Sequence, residues 1–297
     1  MYGSILSDAT VSDELQSMTT KERIQFIFMF VAASMYGCWL RISLAEASNN
    51  VKWGPQIFVV ESHMSPSPYQ LSNFFGSLLL GFLENTDRND ILKHAVMGAA
   101  FAGSLTTFSS WIHESSSILA SGDGGFSMVY RWLDVQVSGI AVPLLGYALG
   151  YFHRDMRLPA TKLPDELLVG CSIFLIVMAV IFAKQNLLAL LFAVVGAAIR
   201  WKFSEMFRKR EQNFPIGTFA VNILSCTIFA LSRTFIKDFN KHGAITAGFC
   251  GALSTMSSFA KEVYSLERAD AYTYLGSSIL MSQTIMVAVY IIAKHAN

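Results

Sequence analysis

Nine blocks of this chain, near residues 24-44, 71-85, 94-113, 133-152, 167-183, 187-203, 217-235, 244-262 and 272-293, are apolar over about 16 to 22 residues each, long enough, or nearly so, to cross a hydrocarbon core of roughly 30 Å. Lipid offers the backbone no hydrogen-bond partner, so such blocks must be helices. Only 14% of the residues are charged and 53% are hydrophobic, whereas about 25% are charged in ordinary soluble domains. The pattern predicts an all-α membrane protein with nine transmembrane helices.

Residues 1-20 are polar, carry Asp8, Asp13 and Glu14, and lack the features of a secretory signal; they read as a cytosolic tail. The connection 45-70, with EASNN and SPSPY, suits an external loop. An odd number of spans puts the termini on opposite sides. About 14 Lys and Arg residues then fall on the N-terminal face and about eight on the other, which predicts a cytosolic N-terminus and an extracellular C-terminus. Cys38, Cys171, Cys226 and Cys250 all lie in apolar blocks without metal-ligand spacing. A net charge of +1 gives no footprint for nucleic acid.

The chain repeats itself. GCWLR (37-41) pairs with GAAIR (196-200), Asn73 with Asn222, and AGSLTTFSSWIHE (102-114) with CGALSTMSSFAKE (250-262). The last pair shares Gly103/Gly251, Leu105/Leu253, Thr107/Thr255, Ser109/Ser257, Ser110/Ser258 and Glu114/Glu262. Two four-helix repeats, 21-157 and 186-297, are thus joined by a linker helix within 158-185. Four is even, so the fifth span inverts the second repeat. Inverted repeats meet about a pseudo-two-fold axis in the membrane plane, with sites near the midplane.

In GSLTTFSS, several hydroxyl residues follow a Gly at membrane depth, where a break in the helix is plausible: Gly permits a turn, and Ser and Thr satisfy freed carbonyls. Carbonyls turned toward the axis would offer a cation oxygen ligands only. Small residues also let membrane helices pack closely, and a buried Asn also serves as interhelical glue. Phe108 and Trp111, like Met256 and Phe259, are spaced i, i+3 and share a helical face; ring edges are positive and can hold an anion without an opposing full charge. Tyr274, Ser278 and Ser282 form a hydroxyl stripe in the last span, whereas the matching first-repeat span lacks one and is expected to be broken by Pro143. For Glu114, Glu262, Arg41 and Arg200, which end spans, snorkelling to the interface is the simplest account.

These motifs resemble the Fluc/FEX (CrcB-like) fluoride channels, whose bacterial members carry a helix reading approximately GGLTTFSTFxxE after a helix with GTxxVN. The matches are GSLTTFSSWIHE, GALSTMSSFAKE and GTFAVN (217-222). Bacterial members of that family are antiparallel dimers of four-span subunits, and the layout here resembles the fused eukaryotic exporters. The resemblance implies an ion pathway with Asn73 and Asn222 as pore amides, Phe108 and Phe259 as ring-edge contacts, and Tyr274, Ser278 and Ser282 as a polar track, with Thr107 and Thr255 beside them. It also implies a structural sodium ion on the backbone carbonyls of Gly103, Thr106, Gly251 and Ser254. Trp111 and Met256 stand where the family has Phe. In the family each pore takes one Phe from each repeat, so Phe108 would face Phe259 in an intact pore, and Met256 would face Trp111 in a vestigial one.

No nucleotide-binding loop, metal cluster or nucleophile-base motif is evident, so passive conduction is the simplest energetics available and no enzymatic activity is expected. The expected function is passive fluoride export across the plasma membrane by a single chain, with fluoride and the lipid bilayer as its partners. The alternatives are a proton-coupled small-ion exchanger, which normally needs a mid-membrane acid, and a non-transporting scaffold.

Overall fold

A computed structural model of the chain describes residues 18-50, 68-84, 94-121, 125-154, 170, 172-174, 176-177, 186-207 and 213-296. Among these residues every regular element is a helix. The first half holds α1 (Thr20–Asn50), α2 (Gln70–Leu83), a π-helical stretch (His94–Ala102) running into α3 (Gly103–Leu105), a break, α4 (Ser109–Ser121), and α5 (Phe126–Phe152). The second half holds α6 (Leu187–Phe207), α7 (Ile216–Phe235), short α8 (Phe239–Gly243), a π-helical stretch (Ala244–Cys250) running into α9 (Gly251–Leu253), a break, α10 (Met256–Ser265), and α11 (Arg268–Ala296). One order of elements, with a broken helix third, therefore occurs twice.

Among the described residues six helical segments are long and apolar enough to cross a membrane, and α2 is a shorter apolar helix. Eight of the nine expected spans coincide with described helices; of the linker span 167-183, residues 170, 172-174 and 176-177 are described, all helical, and the rest lies outside the described residues. α1 is longer than expected, because EASNN continues its last turns as helix rather than opening the external loop. Large apolar side chains face outward along whole helices, as in Leu133, Val137, Leu145 and Leu149 of α5 and Leu188, Leu191 and Val195 of α6. Only an apolar surrounding makes such faces stable. This is a multi-pass membrane protein.

Pro143 does not break the fourth helix: α5 runs through it unbroken from Phe126 to Phe152. Proline removes one i→i−4 bond, to Gly139, and membrane helices tolerate this where neighbours surround them. Here α2 provides that support. A Cβ on Gly146 would stand 2.5 Å from the Phe74 carbonyl oxygen, one on Gly150 2.0 Å from that of Leu78, and one on Gly81 2.3 Å from that of Tyr147. Three glycines thus bring the α2 and α5 backbones into direct contact, the close approach that small residues give membrane helices. In the second half, the glycine on α11, Gly276, has open space around it.

Candidate functional site: two crossed helix breaks

Each broken helix stops where one residue leaves the helical region. Thr106 (φ −95°, ψ 155°) and Ser254 (φ −80°, ψ 156°) are extended, so the helical ladder cannot continue past them. The breaks fall within the hydroxyl-rich cassettes, as expected, but the glycines do not make the turn: Gly103 and Gly251 are still helical.

The freed groups are satisfied reciprocally. Thr107 N–H donates to Asn73 Oδ1 (2.8 Å) and Thr107 C=O accepts from Asn73 Nδ2 (3.2 Å). Thr255 stands in the same relation to Asn222, at 2.9 and 3.4 Å. Each amide therefore clamps the backbone of a break, and each keeps a second N–H. Across the molecule, Ser109 N–H donates to Ser254 Oγ (3.1 Å), while Met256 and Ser257 N–H both donate to Thr106 Oγ1 (3.2 Å). The hydroxyl at each break thus caps the resumed helix of the other cassette, a bond worth about 1 kcal/mol in ordinary helices.

Arg41 and Arg200 do not snorkel. They are 1% and 3% exposed, and a buried guanidinium needs several acceptors. Arg41 donates to the carbonyls of Ala247 and, at 3.4 Å, Thr106; Arg200 donates to those of Ala99 and, at 2.9 Å, Ala252. Ala99 and Ala247 belong to the π-helical stretches, Thr106 to a break and Ala252 to short α9, whose helical donor, the Met256 N–H, goes to Thr106 Oγ1 instead. The glycines make room for the arginines. A Cβ on Gly251 would stand 2.4 Å from Arg41 Nη1, and one on Gly103 1.8 Å from Arg200 Nη1. Each half therefore sends one arginine onto the other half's glycine.

The same breaks leave four carbonyls without their helical donors. The N–H groups that would bond Gly103 and Gly251 in a continuous helix are those of Thr107 and Thr255, which go to the two asparagines. Those that would bond Thr106 and Ser254 belong to Ser110 and Ser258, which go to the hydroxyls of Thr107 and Thr255. Four oxygen donors on two crossing breaks match the ligand preference of a hard cation. These four carbonyls are the expected sodium ligands; Arg41 approaches the Thr106 oxygen and lies against Gly251, and Arg200 lies against Gly103.

Beside the breaks lies a buried aromatic cluster. Phe108 and Phe259, 0% and 1% exposed, meet edge-to-face with centroids 5.1 Å apart at 64°. Phe259 also contacts the Tyr274 ring at 5.1 Å. Ser278 and Ser282 follow Tyr274 on α11, both buried, and the Ser278 hydroxyl has no partner among the described residues. Ser282 lies beside the Cys226 thiol. Glu262 is not a snorkelling acid either: it accepts from Thr218 Oγ1 (2.5 Å) and Tyr274 Oη (2.6 Å). Glu114 occupies the corresponding place near Tyr69, the residue before α2.

Trp111 and Met256 are buried in the same cluster. Trp111 packs edge-on against Phe108 at 5.3 Å, and its indole N–H donates to the Val135 carbonyl at 2.9 Å. It lies so close to α5 that a Cβ on Gly139 would stand 2.0 Å from Nε1. Large, buried and hydrogen-bonded, Trp111 fills the space next to α5 where α11 has its serines.

Other polar residues at this centre were not anticipated from the sequence. Gln136 Nε2 donates to Gln283 Oε1 (2.9 Å), and Gln283 Nε2 donates to Ser115 Oγ (2.9 Å), linking α5, α11 and α4. His113 Nδ1 lies 2.8 Å from Tyr290 Oη. The spacing held a signal for Tyr290: it is eight residues past Ser282, two more steps of four along the stripe.

Residues 27–147 and 187–293 match the family described as "CrcB-like protein, Camphor Resistance (CrcB)". The chain is 27% identical over 244 residues to Fluoride export protein 1 of Neurospora crassa, covering 65% of this chain and 46% of that protein. It is 28% identical to Fluoride export protein 1 of Candida albicans, covering 61% and 56%. It thus spans about half the length of these fungal relatives. To the Fluoride-specific ion channel FluC of Escherichia coli O1:K1 it is 37% identical over 93 residues, 29% of this chain and 73% of the channel. No solved structure matches. The glycines, asparagines and arginines that cross-link the two breaks all lie within the matched segments, which together cover more than half of the sequence, and the chain belongs to the CrcB-like family.

Proposed function

We propose that this protein is a channel that exports fluoride passively from the cytosol. The observation that carries the reading is the buried line of ring edges and hydroxyls formed by Phe108, Phe259, Tyr274, Ser278 and Ser282. The names of the relatives, fluoride exporters and a fluoride-specific channel, supply the ion. An anion entering the line exchanges water for hydroxyl donors and positive ring edges, the substitution on which ion filters depend. At its start, Glu262 holds the hydroxyls of Thr218 and Tyr274, and an arriving fluoride takes the Tyr274 donor while Thr218 retains the carboxylate. The second N–H of Asn222 and Asn73, beside Thr255 and Thr107, adds donors near the breaks. With the cytosol negative, outward movement of one anion is favoured by about 2.3 kcal/mol per 100 mV, so no energy-coupling site is needed.

The matching element orders, with arginines and hydroxyls crossing between the halves, support two inverted four-helix repeats about an axis in the membrane plane, nine spans in all. In this arrangement, in a plasma membrane, the N-terminus is cytosolic and the C-terminus extracellular; a C-terminal epitope readable only after cells are permeabilised would overturn that orientation. One pore conducts. The other is vestigial, with Trp111 packed against Gly139 and Val135 and with Met256 in place of a ring.

The carbonyls of Gly103, Thr106, Gly251 and Ser254 would hold a sodium ion, which when bound supplies a fixed positive charge joining the two breaks. Replacing sodium by N-methylglucamine throughout is expected to lower the melting temperature of the purified protein; an unchanged value would contradict the sodium site.

The function is tested by loading liposomes containing the purified protein with potassium fluoride and following release with a fluoride electrode. Release of fluoride with retention of chloride is the expected result. Absence of release from vesicles holding folded protein supports the scaffold reading, and release only with matching proton flux supports the exchanger.

A further inference from the structure

The polar stripe on α11 does not end at Ser282. Steps of four continue through Met286, which is fully buried, to Tyr290. From Tyr274 to Tyr290 is sixteen residues, about 24 Å along the helix, most of the thickness of a hydrocarbon core. Such a row drifts round the helix by about 40° per step, so its two ends face different neighbours. Tyr274 meets Phe259 and Glu262 of α10, whereas Tyr290 meets His113 of α4 at 2.8 Å. The His113 imidazole in turn lies 4.7 Å from the Phe229 ring of α7. The far end of the stripe is thus another junction of three helices built round a donor pair and a ring.

The charges at this end favour an anion. Arg233 in the last turn of α7, Lys294 in the last turn of α11 and Lys241 on α8 belong to it, with the imidazoles of His295 and His242 beside them. Lys294 reaches the Ser121 carbonyl at the end of α4 (3.3 Å). Among the described residues Asp238 is an acid at this end, paired with Lys241 and capping α8 through the Lys241 N–H. Glu114, the residue after His113, belongs to the neighbourhood of Tyr69. The opposite end of the stripe carries the Glu262 carboxylate instead. An anion moving along α11 therefore passes from an acid to a basic mouth, and clustered charge of one sign raises the local concentration of the opposite ion.

We infer that His113 and Tyr290 form an outer station of the ion path, a hydrogen-bond donor pair that receives the anion after Ser278 and Ser282 and passes it to the basic mouth. When Tyr290 Oη donates to Nδ1, the neutral imidazole carries its hydrogen on Nε2 and that N–H meets the ion; when Nδ1–H donates to Tyr290 Oη, the tyrosine hydroxyl is the donor left for it. Met286, polarisable and apolar, separates this station from the serines. The inference rests on the fluoride-channel reading given above.

Its test uses the full-length protein in fluoride-loaded liposomes, with His113→Phe, His113→Gln and Tyr290→Phe compared at equal amounts of monodisperse protein. Phenylalanine keeps a ring against Phe229 but has no donor; glutamine keeps donor and acceptor but no ring. Loss of a hydrogen bond to a charged group predicts release slowed roughly tenfold in His113→Phe and Tyr290→Phe. It also predicts a double Phe variant no slower than the slower single variant, and at least partial rescue by His113→Gln. The inference is overturned if both Phe variants release fluoride at the parental rate, or if His113→Gln is as slow as His113→Phe, since shape rather than a donor would then matter. No release from the parent protein overturns the channel reading itself, a different outcome from a conducting parent with indifferent variants.

Discussion

Phe108→Ile or Phe259→Ile is expected to slow fluoride release from liposomes at least about a hundredfold, the equivalent of about 2.7 kcal/mol of lost ion stabilisation. Met256→Ile is expected to leave release within about twofold. Phe108 and Phe259 come from different halves, yet their rings meet at 5.1 Å and the second rests on Tyr274. Isoleucine retains enough volume to keep the cluster packed but has no ring edge to present to an anion. Met256 is equally buried, so burial alone does not distinguish the three positions. What separates them is the line of donors on α11, which Phe259 joins through Tyr274. On the other side Trp111 is bonded to Val135 and pressed on Gly139, and α2 and α5 are closed on each other by Gly81, Gly146 and Gly150. Loss of release in Met256→Ile with retention in Phe108→Ile would assign conduction to the wrong pore here.

Gly103→Ala is expected to destabilise the folded protein by about 3 kcal/mol or more, although it adds a single methyl group. Its Cβ would stand 1.8 Å from Arg200 Nη1 and 2.3 Å from the guanidinium carbon. A flexible arginine at a surface would move aside at little cost. This one is 3% exposed and bonded to the carbonyls of Ala99 and Ala252, and hydrogen bonds to charged groups contribute about 1.5–3 kcal/mol each. Displacing it leaves a buried charge and two carbonyls without partners. Thermal unfolding of the purified protein measures the effect. Gly103→Ala combined with Arg200→Ala should cost less than the sum of the single changes, because the methyl group has nothing left to displace; additive effects would mean that the glycine acts independently of the arginine.

Most of the helices could be read from the chain because apolar length is a direct consequence of membrane thickness. Duplication pointed to the breaks, and the breaks lie in the hydroxyl-rich segments. The details were decided by partners that pattern alone does not reveal. Arg41 and Arg200 end their spans as snorkelling residues do, and only the approach of the other half's Gly251 and Gly103 turns them inward. Gly103 looked like a hinge and is helical, with its missing side chain making room for a guanidinium. Pro143 looked like a helix breaker and lies within an unbroken α5, which the glycine-lined contact with α2 supports. The Tyr274, Ser278 and Ser282 stripe was visible as a period. Its continuation to Tyr290 was hidden by Met286, and its partner His113 comes from a helix far away in sequence.

The central claim is that fluoride passes through this protein driven only by its own electrochemical gradient. The direct measurement is fluoride release from liposomes held at a potassium–valinomycin potential, with internal pH followed at the same time. Release that rises with an inside-negative potential, continues without accompanying proton movement, and is not matched by chloride is the predicted result; release that stops when proton movement is prevented, or no release from vesicles shown to contain folded protein, would contradict it.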